Sequence, residues 1–244
     1  MRSRQRLVRR AAGATALAFL VAACQPLTYE PGTARPVICD PTDTAVNDGH
    51  VHGGDPDLTF LSVYTQPKGP LSAADCRLLE QQTNEAVAFV SNLATVADAE
   101  AAGWIEAAVF SPGQGVHYAD PSRLTGSFDP SHPNWLMYDG NSPTSELTGM
   151  MYLVASGPLP PAGFDGANDH WHRHGELCTT TVDGHLYIAA EHATDAECSA
   201  LGGVNVNYDS QWMVHVWLPR YDGWAATDIF NRTHPSLMHD TSHT

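Results

Sequence analysis

Three alternating histidines in one short segment are the strongest candidates for chemistry in this chain. Residues 168–178 read NDHWHRHGELC, which places His170, His172 and His174 at every second position. Alternate side chains of a β-strand share one face, so these imidazoles are expected to point the same way. Buried imidazoles are costly unless they are hydrogen-bonded or bind a metal such as zinc or copper. The segment therefore predicts metal binding by at least two of them, with solvent-facing or hydrogen-bonded sheet histidines as the alternative.

Three further residues could complete such a site. His215 lies in the apolar run QWMVHVWL, so its ring is predicted to be at least half-buried; it is either a ligand that faces the first histidine segment from a neighbouring strand or a hydrogen-bonded core residue. His117 follows the loop SPGQG and is either a ligand from a third strand or a loop histidine bonded to backbone. Met151 is either a core residue or a thioether ligand, which would favour copper and especially Cu(I).

The elements that must position these residues are helices followed by strands. Ser72 and Asp75 form an N-terminal capping pattern, and the apolar residues Leu79, Ala86, Val90, Leu93 and Ala97 recur at helical spacing after it. Thr95 with Asp98 predicts a second short helix, which Gly103 would end. Strands are predicted at 104–110, 134–138, 147–154, 170–178, 185–190 and 211–218. Strands in series predict an α+β fold, a curved antiparallel sheet with one or two N-terminal helices packed on it.

The N-terminus has the order of a secretory signal, with arginines, an apolar run and small residues before Cys24. We interpret this pattern as a lipobox, in which Cys24 becomes the lipidated first residue of a protein anchored on the extracytoplasmic face of the cell membrane. An ordinary signal peptide is the alternative. The predicted organisation is a signal peptide at 1–23, a tether and partly ordered arm at 24–70, one globular domain at 71–238 and a flexible tail at 239–244. Histidines in the arm and the tail are expected to bind metal weakly at most: His50, His52, His239 and His243.

Four cysteines remain after Cys24, and an even number is typical of disulfides in an oxidising compartment. Three pairings of Cys39, Cys76, Cys178 and Cys198 are open, and spacing favours Cys39 with Cys76 and Cys178 with Cys198. The rival interpretation makes Cys178 a metal thiolate beside the histidines.

The charge balance limits the partners. The chain of 244 residues has 12 basic and 27 acidic residues, and five of the basic ones lie in the first ten positions. Sequence-independent binding to nucleic acid or to anionic lipid is therefore not expected. The expected partners are a metal ion and, through the N-terminal lipid alone, the membrane.

Four strings resemble a group of bacterial secreted proteins and lipoproteins: GVHYADP, HPNWLMY, NDHWHRHGELC and WMVHVW. That group shares a His-Tyr-x-Asn/Asp-Pro segment, a Trp-His-x-His-x-x-Leu-Cys segment and a late His-x-Trp strand, and the resemblance covers about residues 76–238. It implies that His117, His172, His174 and His215 match the group's histidine positions, and it brings no activity with it. In more distant relatives a glutamate stands at the position of Met151, so the thioether here favours a softer site.

These observations predict a lipid-anchored, extracytoplasmic protein that binds copper or zinc through His117, His172, His174 and His215, with His170 and Met151 as additional ligands. A second hypothesis is a metal-dependent oxidoreductase or hydrolase, with Glu176, Asp169 or Tyr118 as acid or base. The third is a metal-free recognition module whose groove of histidines and tryptophans binds a sugar or a cationic partner. The chain lacks the Gly-x-Ser-x-Gly, P-loop, His-Glu-x-x-His and dinucleotide-binding motifs, so whether it is an enzyme stays open.

Overall fold

Three helices and ten strands make up the computed structural model, which describes 71–124, 126–166, 169, 171–191, 193–218, 229–230, 233–234 and 237, and the backbone of 61–64. The helices are α1 (Ala73–Phe89), α2 (Val96–Ala101) and α3 (Asp195–Ala200). The strands are β1 (Leu61–Tyr64), β2 (Ile105–Ser111), β3 (Gly115–Ala119), β4 (Trp135–Tyr138), β5 (Leu147–Ala155), β6 (Trp171–His174), β7 (Glu176–Val182), β8 (His185–Ala190), β9 (Val204–Asn207) and β10 (Gln211–Trp217). No helix among these residues is long and apolar enough to cross a membrane.

The helix starts follow the capping residues of the sequence. The Ser72 hydroxyl accepts a hydrogen bond from the Asp75 backbone N–H at 3.1 Å, and Thr95 with Asp98 forms a full capping box at the start of α2. A 3₁₀ turn separates the two helices, so Ala97 belongs to the second helix and is exposed, unlike the four other apolar residues of the predicted helical pattern. The two predicted helices are confirmed.

All six predicted strands are present, but the segment predicted as one strand at 170–178 divides at Gly175 into β6 and β7. The sequence interpretation missed β1, β3, β9 and α3. β3 reads GVHYA and is buried along its whole length, so it has no alternation of apolar and polar residues. α3 begins at a capping box of Thr194 and Glu197, a signal that was present but overlooked.

The sheet is nearly closed into a barrel. Its strand order is β1-β6-β10-β5-β4-β3-β2-β8-β7-β9, so the continuous segment of β6 and β7 pairs with β10 at one end and with β8 at the other. The α+β class is confirmed, and the prediction of a curved antiparallel sheet holds only in part, because the sheet is mixed and more like a barrel than a curved sheet. The pairing of β2 with β8 is parallel. Local strand patterns do not show which strands pair at the two ends of a sheet. The sequence therefore could not predict the near closure or the parallel pair.

Two junctions complete the closure, and each rests on one register pair. Met213 of β10 lies opposite His172 of β6, and Ala108 of β2 lies opposite Ile188 of β8. The strands between these junctions, β10, β5, β4, β3 and β2, pair over several positions each. The barrel thus consists of a well-paired five-strand part and a second part, β6 to β9, joined to it at two narrow places.

The sheet is buried on both faces because alternate residues serve two cores. The outer face packs against α1 and α2, and its cluster includes Leu79, Val90, Tyr138, Tyr152 and Trp171. The Tyr138 hydroxyl donates to the Leu93 carbonyl at 2.8 Å and fixes the helices to the sheet. The inner face has its own cluster, with residues from β2, β3, β4, β5 and β10 that include Ala107, Trp135, Met137, Met151, Met213 and Trp217. Most strand residues of β3, β4, β5 and β10 are therefore buried in one of two interiors.

Candidate metal centre

Four buried histidines from three strands converge on the inner face of the barrel. They are His117 of β3, His172 and His174 of β6 and His215 of β10, and all belong to the buried residues. The ring centroids of His172 and His215 are 5.0 Å apart, and those of His172 and His174 are 5.6 Å apart. His117 reaches the same group from the opposite side, with its ring centroid 6.0 Å from that of His215. The structure thus brings together the four histidines that the sequence selected.

The cluster forms because the strand register places all four rings on one face. His172 and His174 are two positions apart in β6 and point the same way. Met213 of β10 lies opposite His172, which puts His215, two residues further along, on the same side. The period of two, applied to each strand, therefore explains the convergence once the strand order is given.

A methionine lies directly opposite three of these four histidines. His117 pairs with Met137, His172 with Met213 and His215 with Met151 in the strand register. Side chains at such paired positions have Cβ atoms about 4.5–5.5 Å apart and share a face of the sheet. All three methionines are buried in the inner cluster. Imidazole and thioether groups are therefore interleaved on the barrel wall.

The ring spacing agrees with shared ligation, but the full ligand set is not assembled. Two imidazoles bound to one tetrahedral ion at about 2.0–2.1 Å have ring centres about 5 Å apart, close to the His172–His215 separation. Within the described part of the chain, no group of three or more His, Cys, Asp or Glu side chains is arranged to hold one ion. Any ion here would have to be bound by fewer such side chains or by rearranged ones.

Burial keeps the His117 imidazole uncharged at neutral pH. Desolvation lowers the pKa of His117 to about 4; the carboxylate of Glu191 opposes this shift and the neighbouring His174 adds to it. At neutral pH this imidazole is therefore uncharged and carries a lone pair, the form that binds metals. Its Nδ1 is buried and has no hydrogen-bond partner among the described residues.

A fifth histidine, His234, extends the cluster and was missed by the sequence interpretation. Its ring centroid lies 5.2 Å from that of Trp217, whose own ring is 5.8 Å from His215. The His234 backbone N–H donates to the Gly113 carbonyl at 2.6 Å, so this C-terminal segment is attached to the β2–β3 turn. Burial lowers the pKa of His234 to about 4. No strand pattern surrounds it, so its sequence gives no local signal.

No family model, curated protein or solved structure matches this chain. The function therefore has to be inferred from the side chains of the described residues. The observation that matters most is the interleaving of histidines and methionines on one wall.

The three groups proposed as acid or base lie away from the histidines. Tyr118 is on the outer face of β3, with its ring 5.3 Å from that of Tyr138. Glu176 is exposed at the start of β7. Asp169 is buried, and its Oδ2 accepts hydrogen bonds from the Trp171 indole at 2.8 Å and from the Phe164 backbone N–H at 3.0 Å. These residues orient aromatic side chains of the outer core or face solvent.

Asp169 makes the stability of the fold depend on pH. Burial raises its pKa from 3.8 to about 6, although the Phe164 and Trp171 hydrogen bonds oppose the shift. Because the folded state holds a proton that the unfolded chain releases, the free energy of unfolding should fall by roughly 3 kcal/mol between about pH 4 and pH 6. Asp169→Asn keeps the acceptor oxygen and removes the charge. The variant is expected to equal the wild type near pH 4 and to exceed it at pH 7, measured by urea unfolding; a difference that does not change with pH would contradict this.

The cysteines are in disulfides where the structure describes them. Cys178 and Cys198 are bonded, with Cα atoms 5.4 Å apart, so the interpretation of Cys178 as a metal thiolate is wrong. Cys76 is also disulfide-bonded, and its favoured partner Cys39 lies outside the described residues. The candidates His170, Cys24, His50, His52, His239 and His243 lie outside them as well.

Met137, Met213 and Glu191 also belong to the site, and the sequence interpretation did not select them. Met213 could have been found, because it is two residues from His215 in a strand and therefore shares its face. Met137 is two residues from Trp135 in β4, so these two side chains also share one face of the sheet. Glu191 lies at the end of β8 and accepts a hydrogen bond from the Ser111 hydroxyl at 3.0 Å. Only the parallel β2–β8 junction brings this carboxylate to the histidines, which no local pattern reports.

Proposed function

We propose that this protein binds copper as Cu(I) inside its barrel, with His172 and His215 as the central ligands and a methionine thioether as the third. The observation that carries the proposal is the set of three cross-strand histidine–methionine pairs. Thioethers are soft ligands that favour Cu(I), whereas zinc sites are built from imidazole, thiolate and carboxylate. Cu(I) also accepts two or three ligands, which suits a site without a larger ready-made group.

The charge of the surroundings supports a monovalent ion. The inner face is apolar, its methionine thioethers carry no charge, and the lowered pKa of His117 leaves that imidazole uncharged at neutral pH. The desolvation cost of a buried ion rises with the square of its charge, so a divalent ion in this interior would cost about four times as much as Cu(I). A cavity adjoins the histidines, and Glu191 is the one acidic side chain among the described residues that line it; the Ser111 hydroxyl already donates to this carboxylate.

The compartment is part of the same proposal. The lipobox at Cys24 would hold the mature protein on the extracytoplasmic side of a membrane. Disulfides are maintained in that oxidising environment, in keeping with the Cys178–Cys198 bond. A buried thioether site would there protect Cu(I) from oxidation and exchange. The proposed role is therefore the binding and handling of copper rather than catalysis.

The test uses methionine methyl groups as reporters, with Ag(I) as a redox-inert substitute for Cu(I). Met150 and Met151 are neighbours on opposite faces of β5, one in the outer cluster and one in the inner cluster. In protein labelled at the methionine methyl carbons, one equivalent of Ag(I) is expected to shift the NMR signals of Met151 and Met213. Met150 is expected to stay unchanged, because it lies on the helix side of the sheet.

Each other result overturns the copper assignment. Equal shifts of Met150 and Met151 would indicate binding without this site. If the purified protein contains zinc by elemental analysis and the inner methionine signals ignore Ag(I), the histidines act without thioethers and the preference for copper is wrong. No binding of either ion would leave the histidines as packing residues.

A further inference from the structure

A partly open cavity lies beside the histidine cluster. It has a volume of about 260 Å³, and most of its wall is apolar, including Trp135, Leu153, Leu177 and Ile188. His117 and His174 form part of the wall, whereas His172 and His215 do not. The cavity thus excludes the two rings proposed as the central metal ligands, although Met151 and Met213, which lie opposite those rings in the strand register, are part of its wall.

The size and the wall define the kind of ligand. A cavity of about 150 Å³ lined by apolar residues can hold benzene, so this one has room for about ten non-hydrogen atoms. A charged ligand would lose its hydration against an apolar wall. The Trp135 ring and the thioethers of Met151 and Met213 line the cavity, and both groups make favourable contacts with aromatic rings.

The wall also offers acceptors for one polar group. Gln211 Oε1 is buried and has no hydrogen-bond partner among the described residues. His117 Nδ1 is also buried and has no hydrogen-bond partner among the described residues, and its side chain is 5% exposed. Glu191 adds a carboxylate to the wall. Buried acceptors without a partner are costly, and a ligand that donates an N–H or O–H would satisfy one of them.

We propose that this cavity binds one neutral aromatic molecule of about ten non-hydrogen atoms that carries an N–H or O–H donor, such as an indole or a substituted phenol. The ring fills the space between Trp135 and the methionines, and the donor reaches Gln211. The inference does not depend on the proposed copper site, because the cavity exists without any ion. Where an ion is bound, the ligand lies next to it on the His117 side.

The test compares two ligands of the same shape. Metal-free full-length protein, kept in a chelator, is titrated with indole and with 1-methylindole by calorimetry. Indole is expected to bind at least tenfold more tightly, because only indole carries a donor. Gln211→Leu is expected to remove this difference by weakening indole at least tenfold while leaving 1-methylindole unchanged.

A filling variant tests the location. Ile188→Trp, which extends into the cavity, is expected to weaken both ligands at least tenfold, and Val204→Trp, at a position 66% exposed on β9, is the matched control. Met151 and Met213 methyl signals should shift on adding indole, with Met150 unchanged. Binding that ignores Ile188→Trp, or no binding of either ligand to the wild type, overturns the inference. Because the protein is metal-free throughout, failure here leaves the copper proposal standing, and the reverse is also true.

Discussion

Replacing His172 and His215 together by glutamine is expected to lower the affinity for Ag(I) by at least a hundredfold. These two rings have the shortest centroid separation in the cluster, 5.0 Å, and each has a methionine opposite. The loss corresponds to about 2.8 kcal/mol, since each tenfold change in affinity is about 1.4 kcal/mol. Competition with a chromophoric Ag(I) or Cu(I) chelator measures it. Glutamine is chosen because it keeps polar atoms in the space of the ring. Circular dichroism of the variant shows whether it still folds, which separates loss of binding from loss of folding.

The matched control is a histidine outside the barrel. His132 lies on the surface, where its Nδ1 is 2.9 Å from Asp129 Oδ2 and its ring contacts Phe89. His132→Gln is expected to leave the affinity unchanged, and so is the double substitution of His50 and His52. If the surface variants lose as much affinity as the barrel variant, the ion is held by exposed histidines and the assigned site is refuted.

Gly115→Ala is expected to destabilise the protein by about 4 kcal/mol, enough to lower the melting temperature by roughly 10 °C. Gly115 has a φ of +78°, which other residues rarely adopt. A Cβ at this position would also overlap the backbone carbonyl of Tyr138 in the paired strand β4, which cannot rotate away. The hairpin of β2 and β3 would have to shift, and His117 would move with it. Thermal unfolding measures the loss.

Gly157→Ala separates the two causes. Gly157 has nearly the same φ, +77°, but a Cβ there would meet nothing within 4 Å. This variant is expected to lose only about 1 kcal/mol, the cost of the backbone conformation alone. Equal losses in the two variants would mean that close packing of β3 against β4 contributes nothing.

Local features of the fold could be predicted from the sequence where the cause is local. The Ser72 and Thr95 caps fix the starts of α1 and α2, because each side chain binds a backbone N–H three residues ahead. β10 was predicted from its apolar run. The closure of the barrel could not be predicted, since it depends on which edges meet after the segment bends at Gly175. A bend between two strand residues looks like an uninterrupted strand in the sequence.

The site divides in the same way. His172 and His174 were found by their spacing, and His215 by its apolar strand. Met213 was missed although the same period of two applies to it, because Met151 was the only methionine considered as a thioether ligand. Glu191 and His234 could not be found, because a parallel junction and a C-terminal segment bring them in from distant parts of the chain.

The two narrow junctions of the barrel give its parts unequal local stability. Amide groups of β4 and β5 lie in a ladder paired on both sides, and they are expected to exchange with solvent deuterium only when the whole domain unfolds. The part from β6 to β9 joins that ladder through Met213 opposite His172 and Ala108 opposite Ile188. It can therefore separate as a cooperative unit at a lower free energy than global unfolding. His172 lies at one of these junctions and the cavity-lining Ile188 at the other, so a native-state fluctuation that leaves the paired ladder intact is expected to give access to the interior.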